Sequence, residues 1–173
     1  MTRSDGDADL RDMMSRFPSG VAVVTTFDRH GAPRGMTCSS LCSATLDPPT
    51  LLVCLRADGP TAEAVAAHGR FAVNLLHSHG RSAAELFSSG LAHRFSLVPW
   101  ERSATGSGPH LPDHAHTAAD CSVVQTIPTG AHLIVLGHPT TIVRYSSGPP
   151  LLYGLRDYHP WPQLTPERAL PGP

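Results

Sequence analysis

The chain has 173 residues, of which 40% are hydrophobic and 16% charged, and a formal net charge of −1. That length suits one domain able to bury a core, and the near-neutral balance excludes the basic footprint of a nucleic-acid or anionic-membrane binder. No apolar run approaches the ~20 residues of a membrane-spanning helix, and the polar, acidic start Met1-Thr2-Arg3-Ser4-Asp5-Gly6-Asp7 is not a secretory signal.

Leu10, Met13, Met14 and Phe17 fall at i, i+3, i+4 and i+7, which predicts a helix with one apolar face. Asp7 or Asp9 complements its dipole at the start, and Pro18-Ser19-Gly20 stops it. Residues 21–27 are a β-branched run and read as a strand. Asp28-Arg29-His30-Gly31 turns the chain into a second strand, which carries Gly35-Met36-Thr37-Cys38-Ser39-Ser40. This small, hydroxyl-rich stretch continues through Ser43-Ala44-Thr45-Leu46 to the stop Asp47-Pro48-Pro49. Small side chains leave backbone N–H groups open to a ligand, and hydroxyls add short donors and acceptors. A core strand would carry larger apolar residues here. Two readings stand: a ligand-binding edge, or a surface strand and turn. Ser43 and Thr45 alternate with Cys42 and Ala44, so one pair faces a ligand if the other faces the core.

Residues 50–55, Thr-Leu-Leu-Val-Cys-Leu, are a continuous apolar run and predict a buried barrel strand. Pro60 at a first helical position opens a short helix over 61–67 that ends at Gly69. Residues 71–76 form another strand. A helix over 82–88 turns Leu86 and Phe87 inward. Residues 99–117 are rich in Pro, Gly, Ser and His and read as a long loop, functional or mobile. Three further strands, over 122–127, 132–136 and 140–145, are spaced for an antiparallel meander. Beyond Tyr158 the tail, with Pro160, Pro162, Pro166, Pro171 and Pro173, reads as extended. Many short strands with regular turns predict a mainly β barrel with peripheral short helices, in one domain spanning 1–173 with its core over about 10–160. Cys38, Cys42, Cys54 and Cys121 form no CxxC pair and show no metal-ligand spacing, so they read as reduced thiols of a cytoplasmic protein. His110, His114 and His116 are joined by no Cys or carboxylate cluster, and no metal is expected. No GxGxxG and no GxSxG occur, which disfavours a Rossmann fold and a serine nucleophile.

Phe17-Pro18-Ser19-Gly20-Val21 with Val23-Val24-Thr25-Thr26 resembles the opening of the flavin reductase family, whose fold is the FMN-binding split barrel. So do, in the same order, the stretch from Gly35 to Pro49, Gly69-Arg70-Phe71-Ala72-Val73-Asn74, Gly130-Ala131-His132, and Leu151-Leu152-Tyr153 with Tyr158. The resemblance implies a closed antiparallel Greek-key split β-barrel. It implies hydride transfer from NADH or NADPH to FAD or FMN, and release of reduced flavin to a separate flavin-dependent monooxygenase. It also implies a homodimer, with no nucleic-acid or membrane partner. The cofactor carries such chemistry, so no nucleophile or catalytic dyad is expected. The nicotinamide would lie over the flavin face in a shallow, open groove. Two alternatives keep the fold: an oxidase that retains its flavin, and a non-catalytic flavin-binding sensor.

By the same resemblance Thr37, Cys38, Ser39 and Ser40 line the isoalloxazine ring, with Ser43 and Thr45 as further contacts. Thr61, at a helix start suited to an anion, and Arg56 are candidates for the flavin phosphate. Asn74 is the polar residue of its strand, facing either a ligand or a local hydrogen bond. Phe95 in His93-Arg94-Phe95 matches a family Arg-Phe beside the flavin, and Tyr158 completes the cofactor set. His132 is the candidate catalytic residue, able to donate a hydrogen bond toward the nicotinamide or the reduced ring. The family carries Gly-Asp-His where this chain has Gly130-Ala131-His132, so the carboxylate that would charge the imidazole is missing locally.

Overall fold

The computed structural model describes residues 10–162. In chain order these form α1 (Leu10–Ser15), β1 (Ser19–Gly20), β2 (Ala22–Phe27), β3 (Pro33–Cys38), β4 (Leu41–Leu46) and β5 (Pro49–Arg56). Then come α2 (Pro60–His68), β6 (Arg70–Leu76), α3 (Arg81–Ser88), a 3₁₀ turn (Arg94–Ser96), β7 (Glu101–Arg102) and β8 (Pro109–His110). The chain ends in β9 (Ala115–Thr129), β10 (His132–Arg144), β11 (Leu151–Gly154) and β12 (Asp157–Pro160). None of the described helices is long and apolar enough to cross a membrane.

The main sheet has seven antiparallel strands in the order β3-β2-β6-β9-β10-β5-β4. Laid flat, its edges β3 and β4 would stand ~29 Å apart at ~4.8 Å per strand. Yet Ser39 and Ser40 alone join Cys38, at the end of β3, to Leu41, at the start of β4. Three peptide steps span at most ~11 Å, so the sheet is rolled and its edges meet at this link. The Cys54 amide of β5 donates to the Ser40 carbonyl at 3.2 Å and ties the link down. Among the described residues no ladder pairs β3 with β4. The mainly β, antiparallel character matches the expectation, with a seam where a closed ladder was expected.

β2 is buried along its whole length. Ala22 and Val24 join one core cluster, with Val53, Leu55, Phe71, Val73 and Val135. Val21 and Val23 join the other, with Phe87, Leu111 and Leu151. Apolar residues on both faces explain the unbroken β-branched run that marks this strand in the sequence. Helix α2 touches β2, β3, β5, β6 and β9 and stoppers the roll with Ala62 and Val65. Helix α3 covers the second cluster with Ala83, Ala84 and Phe87, while Leu86 is only half-buried.

Three expectations need correction. The apolar face of α1 does not reach the core: Leu10, Met13, Met14 and Phe17 are 47–67% exposed. The three strands expected over 122–145 are two long ones, β9 and β10, with irregularities between Leu136 and Gly137 and between Pro139 and Thr141. Gly137 and Pro139 read as breaks but act as bulges, which bend a strand without ending it. Gly137 has a packing reason: a Cβ there would collide with the ring of Phe71, which is fully buried. Finally, much of 99–117 is not an open loop. Ser103, Ser107, His110 and Leu111 are buried. Thr25 Oγ1 donates to the Pro109 carbonyl at 2.6 Å, and the ring nitrogens of His110 bridge Asp120 Oδ1 (2.9 Å) and Tyr145 Oη (2.8 Å). Thr105 Oγ1 donates to the other Asp120 oxygen at 2.7 Å. Polar residues suggested solvent, but here they satisfy one another inside the protein. Asp7, Asp9 and the tail prolines 166, 171 and 173 lie outside the described residues.

Replacing Gly137 by Ala forces the buried Phe71 ring to move. We expect Gly137→Ala to lower stability by about 1–3 kcal/mol, measured by urea unfolding. An unchanged midpoint would show that Phe71 repacks freely.

Candidate functional site

Two short connections build one rim of the rolled sheet. The first is the Ser39–Ser40 link, whose side chains are small and exposed. The second is the β9–β10 hairpin, where Gly130 at φ 52° makes the two-residue turn. A positive φ at the first turn residue suits glycine and matches the twist of a hairpin. The turn sets His132 at the first position of β10, opposite Thr129 on one side and Arg56 on the other. Since the Cys54 amide bonds the link, the carboxyl end of β5 lies beside both connections. Ser39, Ser40, Arg56 and His132 therefore share one end of the roll. Helix α2 starts there too, capped by Gly59, whose lack of a side chain leaves the first turn without a side-chain cap.

The electrostatics of this rim centre on Arg56. Its guanidinium meets the Asp58 carboxylate through Nε at 3.1 Å and Nη2 at 2.8 Å. Both side chains are exposed. The hydrogen bond and charge of Arg56 hold the Asp58 carboxyl below its usual range, and the nearby His132 adds to that lowering. Asp58, in the loop before the helix start, has no role of its own among the sequence-based candidates. Its signal was present in the Arg56-x-Asp58 spacing, but nothing in the sequence places that pair beside His132.

The remaining candidates divide by burial. Thr37 is half-buried and its hydroxyl donates to the Ala84 carbonyl of α3 at 2.6 Å, so the side chain anchors a helix. Cys38 is 4% exposed, and burial pushes its thiol up to about 11. It stays protonated at neutral pH and turned inward. Asn74 needs correction as a cofactor contact. It is fully buried, donates to the carbonyls of Val23 and Pro109, both at 3.2 Å, and accepts from the Leu111 amide at 2.9 Å. Its amide is occupied in holding 109–111 on the sheet. Thr61 is 2% exposed, which closes its side chain to an external phosphate; what α2 can offer is its first-turn backbone.

Along β4 neither face is buried within the chain, so the expected inward pair is absent. Ser43 lies opposite Leu51 and Thr45 opposite Thr50, progressively farther from the rim. The Thr45 hydroxyl closes the turn at Asp47. Phe95 packs edge-on against Phe87 at 4.9 Å and stands over Gly35, where a Cβ would approach its ring to 3.0 Å. Tyr158 stacks with Tyr153 at 5.0 Å, under the Arg81 guanidinium. The structure thus gathers Ser39, Ser40, Arg56 and His132 at one rim, while Thr45, Asn74, Phe95 and Tyr158 are held by the contacts just described.

The donor set at the rim suits a planar, anionic, hydrogen-bonding molecule. It holds two small hydroxyl residues, an arginine paired with Asp58, a helix start and an imidazole. Comparison with known proteins points the same way. The flavin reductase like domain model matches residues 14–162. A protein of Lentzea aerocolonigenes named "Flavin reductase (NADPH)" is 51% identical over 160 residues, covering 92% of this chain and 91% of its own length. The Streptomyces globisporus C-1027 NADH:FAD oxidoreductase, solved in complex with NAD and FAD fragments, superposes with a TM-score of 0.83 at 27% identity. That match covers 96% of this chain and 98% of the other. The styrene monooxygenase flavin reductase of Pseudomonas putida S12 superposes with a TM-score of 0.82 at 26% identity, over 91% of this chain and all of the other. The chain belongs to the flavin reductase like domain family.

Proposed function

We propose that this protein is an NAD(P)H:flavin oxidoreductase that reduces FAD or FMN and releases the reduced flavin to a separate flavin-dependent monooxygenase. The observation that carries this reading is the convergence of the Ser39–Ser40 link, Arg56 and His132 on one open rim, in a chain of this family. The related reductases named for NADPH, for NADH and FAD, and for a styrene monooxygenase support it.

When bound, the flavin supplies the ring that accepts a hydride from the reduced nicotinamide. The protein's share is placement and charge. Backbone and hydroxyl donors of Ser39 and Ser40 face the polar edge of the ring. Fixed donors of this kind act by stabilising charge that develops as the ring is reduced. Arg56 and the first turn of α2 receive the phosphate. His132, exposed at the start of β10, donates a hydrogen bond on the nicotinamide side. The rim is open rather than enclosed, which suits a product that must leave.

The whole chain acts as one domain, in a reducing cytoplasm where its four cysteines stay free. It pairs as a homodimer. The support is an exposed β4 edge and exposed apolar side chains on the sheet, with Leu46 at 85%, Ile142 at 64% and Val124 at 63%. The Ser39–Ser40 link joins the β3 and β4 edges and brings the barrel toward closure without a ladder between them. Light scattering at micromolar concentration is expected to give twice the chain mass; a monomer mass would count against the pairing.

The Ser39 position tests the flavin site. Ser39→Leu should fold but lose flavin binding by tenfold or more, about 1.4 kcal/mol or greater, because its side chain fills the approach to the link. Ser39→Ala should retain most of it, since the backbone donors stay. Flavin fluorescence titration alongside circular dichroism reads both. A folded Leu variant that binds flavin like the parent would remove the link from the site.

A further inference from the structure

A depression of about 220 Å³ runs along α2. Pro60, Glu63, Ala64 and Ala67, one face of the helix, form one wall, and the β2–β3 hairpin with Arg29 and Arg34 forms the other. One end of the depression is the rim, because Pro60 opens α2 directly after the Arg56–Gly59 connection. The other end is the hairpin. There the Thr26 hydroxyl, near the end of β2, donates to the Arg70 carbonyl at 2.8 Å, just beyond the end of α2. At 1.5 Å per helical residue, Pro60 to Ala67 spans about 10 Å.

The two walls differ in chemistry. Asp28 is fully engaged: Oδ1 accepts from the His30 and Ala32 amides, both at 2.9 Å, and Oδ2 accepts from Arg34 Nε at 3.1 Å and Nη2 at 2.8 Å. These contacts hold the Arg34 guanidinium as a fixed plane, and such planes stack on aromatic rings. Ala64 and Ala67 supply a small apolar surface opposite. Glu63 is exposed and joins no ion pair among the described residues. A carboxylate so placed accepts from the hydroxyls of a ribose. Among the lining residues Arg29 and Arg34 are matched by Asp28 and Glu63, so no surplus cation is left for a bare phosphate. The volume is below the ~300–1,000 Å³ of a pocket that encloses a whole drug-sized ligand, so the depression takes part of one.

We propose that this depression holds the adenosine of FAD, which makes FAD rather than FMN the flavin that this protein selects. The inference rests on the proposed placement of the flavin phosphate at Arg56 and the first turn of α2. FMN ends at that phosphate. FAD continues through a second phosphate and a ribose to adenine, and the depression continues from the same turn toward the hairpin. The adenine lies against the Arg34 plane, and the ribose hydroxyls donate to Glu63. The adenosine of NADPH is a poorer match, because its additional phosphate brings charge that the balanced lining does not offset.

The test uses the full chain and isothermal titration calorimetry with FAD and with FMN, in the parent, Glu63→Ala and Ala67→Phe. The KM for NADPH is measured alongside. Both positions are exposed, so both variants should fold, which circular dichroism checks. The parent should bind FAD roughly tenfold or more tightly than FMN. Glu63→Ala removes a charge-assisted hydrogen bond and should weaken FAD about tenfold. Ala67→Phe fills the depression and should also weaken FAD, and both variants should bind FMN like the parent. Equal affinities of the parent for FAD and FMN overturn the inference. Parent-like FAD binding in either variant overturns it as well, as does an equal loss of FAD and FMN. A raised KM for NADPH with FAD binding intact would give the depression to the other nucleotide. Ser39→Leu separates this inference from the reading beneath it. If that variant binds both flavins like the parent, the flavin placement itself fails. If it loses both while Glu63→Ala and Ala67→Phe spare FAD, only the adenosine subsite fails.

Discussion

A two-residue link that must reach between opposite edges of a seven-stranded sheet is the constraint on which the rest depends. Ser39 and Ser40 can do so only if the sheet rolls up. Rolling encloses Val53, Leu55, Phe71 and Val135 in one core and leaves a seam where the edges meet. At a seam the backbone is not consumed by a continuous ladder, so it can serve a ligand. Large side chains at 39 and 40 would cover it. Small hydroxyl residues there thus satisfy closure and access together.

The same rolling fixes what else stands at the rim. β5 lies between β4 and β10, so its carboxyl end meets both the link and the start of β10. Arg56 and His132 become neighbours although 76 positions separate them in the chain, from 56 to 132. The polar networks away from the rim have a different task. Asn74 and the His110–Asp120–Tyr145 set hold 105–111 against the sheet, and their polar groups are satisfied inside the protein. Breaking a fully paired buried network leaves an uncompensated polar group, which is costly. These residues explain a polar, histidine-rich segment without assigning it chemistry.

Local pattern revealed the elements well where one physical signal dominated. The β-branched run of β2, the Pro60 start and Gly69 end of α2, and the inward Phe87 of α3 all follow from the residues themselves. Other features needed three dimensions. The bulges at Gly137 and Pro139 look like strand ends, because the reason for Gly137 is the Phe71 ring, 66 positions earlier, from 71 to 137. The apolar face of α1 is real in the sequence but exposed in the structure. Within the site, Ser39, Ser40 and His132 were legible as candidates from motif and residue type. Asn74 was not separable from a ligand contact, since one buried polar side chain in a strand reads the same either way until its partners are seen. The proximity of Arg56 to His132 is a product of register and could not be read locally.

The claim that the seam and the adjoining end of β5 receive the flavin is tested most directly by hydrogen–deuterium exchange with and without oxidised FAD and FMN. Backbone amides over 36–41 and 54–61 should gain protection on flavin binding, while 103–111, already buried and hydrogen-bonded, should not change. Protection that instead falls on the depression between Asp28, Arg34 and Glu63, with 36–41 unaffected, would contradict the account.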